Sequence, residues 1–328
     1  MRKILLVALA VCIASATMAG EKKVLRFGLE TSRTDSQYHG AQVMAKYVRD
    51  NTDGNVDIRL FPDSSLGSTV SMIAQVRSGT LDFTLSGSGN FAGMVEAMNV
   101  FDVPFLFKNN EHVDRVMDGP IGRTIMDECE GFDMKGLALW ENGFRALTNS
   151  RNAARVPADV AGLKIRVPGM PMHVEAWKLL GTNPIPMNYS EVFTALETRT
   201  IDAQDHPIAI CFSSRFYEMQ KFMSVSRHAY TPLLLAMNLK TFQSLSPEYQ
   251  KVMLEGAHLG AVAQRKFVRD NELDYINQIK AYGLEVLYPE DLDMKPWEEL
   301  VMPGMIAFLQ TLPKASKWLQ PIQDAANK

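Results

Sequence analysis

The chain has 328 residues, of which 46% are hydrophobic and 22% charged, with a formal net charge of −3. That balance supports a buried core and excludes disorder, collagen and coiled coil, and the length points to two domains, because one core stops growing at roughly 250–300 residues. No global positive field exists to attract nucleic acid or anionic lipid, and three cysteines exclude a disulfide scaffold or a four-cysteine metal site.

Residues 1–19 read as a secretory signal peptide. Met1-Arg2-Lys3 is a positive start, and Ile4 to Ala14 is an apolar run of eleven residues. Such a run is too short to cross roughly 30 Å of hydrocarbon. Ala14-Ser15-Ala16 and Thr17-Met18-Ala19 offer small-residue cleavage points, and Gly20-Glu21-Lys22-Lys23 ends the run in polar residues. Export to the periplasm is therefore expected. Cleavage leaves Cys129 and Cys211, which either pair in an oxidising compartment or stay buried and free; the sequence favours neither.

Along the mature chain strands alternate with helices. Val24–Leu29 reads as a first strand, followed by a polar loop from Glu30 to Ser36. Ala41, Met44, Tyr47 and Val48 share one helical face, which Thr52-Asp53-Gly54 ends. Val56, Ile58 and Leu60 alternate as in a half-buried strand. Pro62–Gly67 is a turn. Ile73, Ala74 and Val76 lie on a short helix stopped by Gly79, and Leu81–Leu85 is a third strand. This β-α-β-α-β order predicts a mostly parallel sheet with helices on both faces.

Further on, Trp140–Arg145 reads as the end of one strand and the start of another. Lys164–Val167 is a short strand bounded by Gly162 and Pro168, and Val174–Leu180 is helical. Ser190 is placed to cap a helix through Val192, Phe193, Ala195 and Leu196, and Ile201–Gln204 forms a strand ending at Pro207. From Ser246 to Tyr282 only Pro247 interrupts, and there it suits the first helical position. About 35 helical residues span roughly 50 Å, which is longer than a small domain, so this helix should bridge two of them.

Catalytic motifs are missing. The chain carries no G-x-x-x-x-G-K-[ST], no H-E-x-x-H and no G-x-S-x-G, and its six histidines never fall three or four apart. Gly87, Gly89 and Ala92 form a partial G-x-G-x-x-A after a strand, which suits a dinucleotide pyrophosphate. However, it follows the third strand rather than the first, so the other reading is a loop whose backbone approaches a ligand. No cofactor and no metal is expected.

The segment from Trp140 to Pro207 carries the positive signal. Arg166 sits in the short apolar strand Lys164–Val167, and a buried guanidinium without a partner is very costly. Its partner is either an internal carboxylate such as Glu175 or Glu191, or the carboxylate of a ligand held by two parallel N–H···O bonds. The residue chemistry leaves the two even.

The motifs around it break the tie. Lys164–Pro168, Gly181–Met187, Ser190–Leu196, Ile201–Gln204 and Phe216-Tyr217-Glu218 occur in this order, together with Phe61–Gly67 and Gly79-Thr80-Leu81-Asp82. Over essentially the whole mature chain the sequence resembles the periplasmic substrate-binding proteins of tripartite ATP-independent periplasmic (TRAP) transporters, the DctP-like family. That resemblance implies an α/β, two-lobed periplasmic-binding-protein-like fold with a ligand cleft between the lobes. Lobe I would take residues 24–143 and 232–271, and lobe II residues 144–231 and 272–328. It also implies capture of a small organic acid and its delivery to TRAP membrane subunits, by a monomer that is not an enzyme.

In site terms the resemblance implies that Arg166 binds the ligand carboxylate, that Arg145 assists, that the Tyr189 ring packs on the ligand, and that His206 hydrogen-bonds it. Asp205-His206-Pro207 departs from the commoner Glu-Asn-Pro, and Ala203 replaces a usual glycine. A histidine there either donates or accepts, and is charged below its ordinary pKa of about 6.5. Asn142 and Phe144 beside Arg145, Gly87 in the Ser86–Asn90 loop, and Glu30 at the mouth of the first strand complete the candidate set. Sialic-acid binders carry a glutamate where Gly87 falls, which disfavours that ligand. Two alternative readings are a periplasmic NAD-linked oxidoreductase using the Gly87 loop, and a ligand-sensing signalling protein of the same fold.

Overall fold

A computed structural model describes residues 22–327; the signal-peptide expectation lies outside them. The described residues form ten strands: β1 Lys23–Gly28, β2 Val56–Phe61, β3 Phe83–Gly87, β4 Met134–Asn149, β5 Lys164–Val167, β6 Asn183–Pro186, β7 Ala203–Pro207, β8 Phe222–Ser224, β9 Tyr230–Asn238 and β10 Glu285–Leu287. Their main order is β2-β1-β3-β9-β4-β7-β5-β6, with β8 joining β4 to β10. The pairs β1·β2, β1·β3, β5·β6 and β5·β7 are parallel, whereas β9 runs antiparallel to both β3 and β4. The result is two parallel half-sheets, one on each side of the antiparallel β4·β9 pair.

The central strand corrects the expected break at Trp140–Arg145. It runs unbroken for 16 residues. Its pairing with β9 shifts register between Glu141 and Gly143, and Gly143 has φ +119°. That bulge needs a residue tolerant of positive φ. Gln264 satisfies the backbone there: Oε1 accepts from the Glu141 N–H at 3.0 Å, and Nε2 donates to the Glu141 carbonyl at 2.7 Å.

The long helix appears as Pro247–Tyr282, with Ser246 Oγ accepting from the Tyr249 N–H and proline in its first turn. Its first half sends Met253, Ala257 and Ala261 into the core of β1–β3 and β9. Its second half sends Ile276 and Ile279 into a core with Ile208, Cys211 and Met223. One helix therefore belongs to both hydrophobic bodies, and the fold is two-lobed α/β as expected. The helix Ser36–Asp50 crosses it at Gly40 and Gly260, against the buried Trp140 ring. Among the described residues, no helix is long and apolar enough to cross a membrane.

Smaller expectations shift. Ser190 is not a cap; it lies inside a one-turn 3-10 helix, Tyr189–Glu191, which leads into the helix Val192–Glu197. The third strand starts two residues later than read. Cys129 and Cys211 are both buried and free, and burial pushes both thiols up to about 12. They act as small apolar groups.

Candidate ligand-binding site

A cavity of about 870 Å³ opens at the carboxyl ends of the parallel strands. Glu30 follows β1, Gly87 ends β3, Arg166 and His206 stand near the ends of β5 and β7, and Met187 follows β6. Open α/β sheets bind ligands at that edge. Seven of the eight candidate residues line the cavity: Glu30, Gly87, Asn142, Arg145, Arg166, Tyr189 and His206.

Phe144 is not among the lining residues. Its ring packs edge-on against Tyr230 at 5.2 Å between centroids, and the Arg227 guanidinium lies over it at 4.0 Å. The bulge at Glu141–Gly143 breaks the strand's alternation, so Arg145 rather than Phe144 joins Asn142 at the cavity.

Arg166 is 4% exposed and has no carboxylate partner among the described residues. Neither Glu175 nor Glu191 reaches it. Nε and Nη2 both donate to the Met187 carbonyl, at 3.1 and 2.8 Å, and Nη1 donates to His206 Nε2 at 2.9 Å. Two of its five N–H donors remain, one on each terminal nitrogen. Burial, and then the nearby Arg145 charge, push its pKa down to about 10, so it stays charged at neutral pH.

That contact fixes the histidine. Arginine only donates, so His206 Nε2 accepts, and its proton sits on Nδ1, which donates to Gln204 Oε1. Gln204 Nε2 donates in turn to Thr148 Oγ1 at 2.7 Å. Burial, and then Arg166, hold the His206 pKa well below its ordinary value. The ring is a neutral acceptor that orients Arg166, not the charged group its sequence context allowed.

Arg145 is committed elsewhere. Its Nε donates to Asp205 Oδ2 at 2.9 Å and its Nη2 to Oδ1 at 3.1 Å, in a pair with side chains 2% and 1% exposed. Trp177 Nε1 donates to the same carboxylate at 3.1 Å, and His228 Nε2 lies 3.4 Å from it. Burial alone would raise the Asp205 pKa; Arg145 and His228 hold it well below the carboxylate range. Sequence reasoning missed Asp205 as a partner, although three consecutive polar residues in the short strand Ala203–Pro207 demanded buried partners.

On the first half-sheet, Glu30 Oε1 accepts from the Thr69 N–H at 2.8 Å. Burial raises its pKa against the pull of Thr69 and Arg166. Tyr189 bonds Ser214 Oγ through its hydroxyl and sets its ring edge-on to His206 at 5.9 Å. Asn90 Nδ2 donates to Ser86 Oγ at 2.8 Å. The Gly87 loop turns into a one-turn 3-10 helix, Ser88–Phe91, rather than an α-helix. It therefore offers no aligned helix N-terminus for a pyrophosphate.

A two-lobed α/β body with a guanidinium-floored cleft at its strand ends is a solute-binding architecture. The DctP family, bacterial extracellular solute-binding protein family 7, matches residues 27–310, and the chain belongs to it as a solute-binding protein of the TRAP transporter type. The 2,3-diketo-L-gulonate-binding periplasmic protein YiaO of Escherichia coli (strain K12) is 46% identical over 286 residues, 87% of each chain. A TRAP solute-binding protein from Polaromonas sp. JS666 bound to D-erythronate superposes with a TM-score of 0.88 at 33% identity, covering 92% of this chain and 98% of that one. The sugar acid binding protein DctPAm from Advenella mimigardefordensis strain DPN7T, in complex with galactonate, gives 0.87 at 31% identity, covering 94% and 98%. Family and fold are those of solute-binding proteins, which favours the transport reading over the oxidoreductase one.

Proposed function

We propose that this protein works in the periplasm, after removal of residues 1–19, where it captures a small organic acid of the sugar-acid class and hands it to TRAP membrane subunits. One observation carries the reading: Arg166 is a buried guanidinium in a large cavity, with two free donors and no carboxylate partner among the described residues. A charge in that state wants a counter-ion, and a ligand carboxylate supplies one bidentately. The ligands of the relatives, 2,3-diketo-L-gulonate, D-erythronate and galactonate, are all acids of this kind.

Residues 24–143 with 232–271 and residues 144–231 with 272–328 form the two lobes. Arg166, oriented by His206, holds the carboxylate from lobe II beside the Tyr189 ring, and Glu30, Asn142 and the Gly87 loop meet the rest from lobe I. A ligand touching both sides binds the closed state better than the open one, so it shifts the population toward closure.

A thermal-shift screen of the mature chain against sugar acids, dicarboxylates and keto acids tests this. Ligand at a hundred times its dissociation constant stabilises by about 2.7 kcal/mol. Arg166→Ala should keep its fold and lose the shift. Unchanged affinity in that variant would refute the assignment.

A further inference from the structure

The cleft holds a carboxylate as well as a guanidinium. Glu30 leaves the end of β1, half-buried, with Oε1 fixed on the N–H of Thr69, the first residue of the helix Thr69–Ser78. The Thr69 hydroxyl also reaches this carboxylate, but Oε2, its other oxygen, meets no cation within ion-pair distance among the described residues. An ionised carboxylate only accepts, so what this oxygen offers a ligand is a place for a hydroxyl or an N–H.

The other charges of the cavity are either paired or on its exposed rim. Arg145 is neutralised by Asp205. Lys314 is exposed beside Glu96, whose carboxylate accepts the Lys314 backbone N–H at 2.6 Å. Glu191 sits on the exposed rim with Asn188. Arg166 and Glu30 are the charges left away from that rim. One ligand carboxylate satisfies Arg166. A second, at the far end of the same molecule, finds no unpaired arginine and faces Glu30. Gln37, Ser86, Asn90, Asn142 and Thr231 supply neutral polar groups to the same lining, beside apolar residues such as Met170 and Leu233. The side-chain amides of Gln37 and Asn142 make no hydrogen bond among the described residues.

We propose that Glu30 is a specificity-determining residue, which selects acids with one carboxylate and a hydroxyl-bearing far end and turns away the matching diacids. This rests on the anchoring of the first carboxylate by Arg166.

The test is titration calorimetry on three matched pairs, erythronate with meso-tartrate, galactonate with galactarate and gluconate with glucarate, against the wild type, E30Q and R166A. E30Q keeps an oxygen for the Thr69 N–H and replaces the charged Oε2 with a neutral amide NH2 group; its melting temperature checks the fold. The wild type should bind at least one monoacid, with the matching diacid at least about 100-fold weaker, a gap that close like-charge repulsion at a partly buried site supplies. E30Q should shrink that ratio at least tenfold. An unchanged ratio in E30Q, while R166A loses binding, overturns the role of Glu30 and leaves the carboxylate anchor standing. Full binding by R166A overturns the anchor. Equal wild-type affinity within a pair, or no binding of any of the three monoacids, also overturns the proposal.

Discussion

His206 Nε2 lies 2.9 Å from a terminal nitrogen of Arg166, and that nitrogen has only protons to give. The imidazole must therefore accept, and a protonated ring would set two cations against each other in a buried site. The histidine is a neutral positioner of the arginine. Its contribution to binding should not change with pH. The ratio of ligand affinities between wild type and His206→Asn, measured calorimetrically, should be the same at pH 8 and pH 6. An imidazolium that touched the ligand would make the ratio grow as pH falls through about 6.5.

The same burial sets a pH dependence of stability. His206 and His228 have pKa values lowered in the fold, chiefly by burial. Below about 6.5 the unfolded chain takes up protons that these rings refuse, so unfolding gains and stability falls as pH drops. Glu30, Asp35 and Glu141 work in the opposite sense: their pKa values are raised, so they favour the fold as pH falls toward the ordinary carboxylate range. Comparison isolates the histidine. The fall in melting temperature between pH 7.5 and 5.5 should be smaller in His206→Asn than in the wild type, and equal slopes would mean the ring does take up a proton in the folded state.

Much of this was legible in the chain. Ser246-Pro247 and the absence of later breakers gave the long helix. Gly162 and Pro168 bracketed the Arg166 strand, and the dispersed motifs gave the two-lobed fold. What stayed hidden were relations across distance. Gly143 reads as a break, yet the strand continues because Gln264, 123 residues after Glu141, satisfies the bulged backbone. Arg145 reads as a free cation, yet its counter-ion lies 60 residues away. Phe144 reads as a lining residue because alternation cannot foresee a bulge. Residue chemistry alone left the partner of Arg166 open, and only the dispersed motifs favoured a ligand; in the fold it has no carboxylate partner among the described residues.

The Arg145–Asp205 pair should behave as structure more than as ligand contact. Removing one partner leaves the other charged and buried, which costs on the order of 3–5 kcal/mol. Arg145→Ala and Asp205→Asn should each lower the melting temperature by several degrees. The double variant should lose less than the two singles combined, because it leaves no orphan charge. Simple additivity in chemical denaturation would show that the pair is not coupled.

Gly40 is required by close approach rather than by backbone conformation. A Cβ there would lie 2.7 Å from Trp140 Cζ3, 2.7 Å from Gln264 Cβ and 2.8 Å from the Gly260 carbonyl oxygen. A backbone carbonyl and a ring locked by its Nε1 bond to the Ala257 carbonyl cannot yield cheaply. Overpacking costs about 1–3 kcal/mol. Alanine regains about 1 kcal/mol of helix propensity, so a net loss remains at the upper end of that range. The same shift would displace Gln264, which holds the bulge that presents Asn142. Gly40→Ala should therefore lower the melting temperature and weaken ligand binding together. Gly131→Ala, where an added Cβ meets nothing within 4 Å, should do neither. If Gly40→Ala melts like the wild type, the two helices have room to separate, and the crossing does not set the position of the cleft.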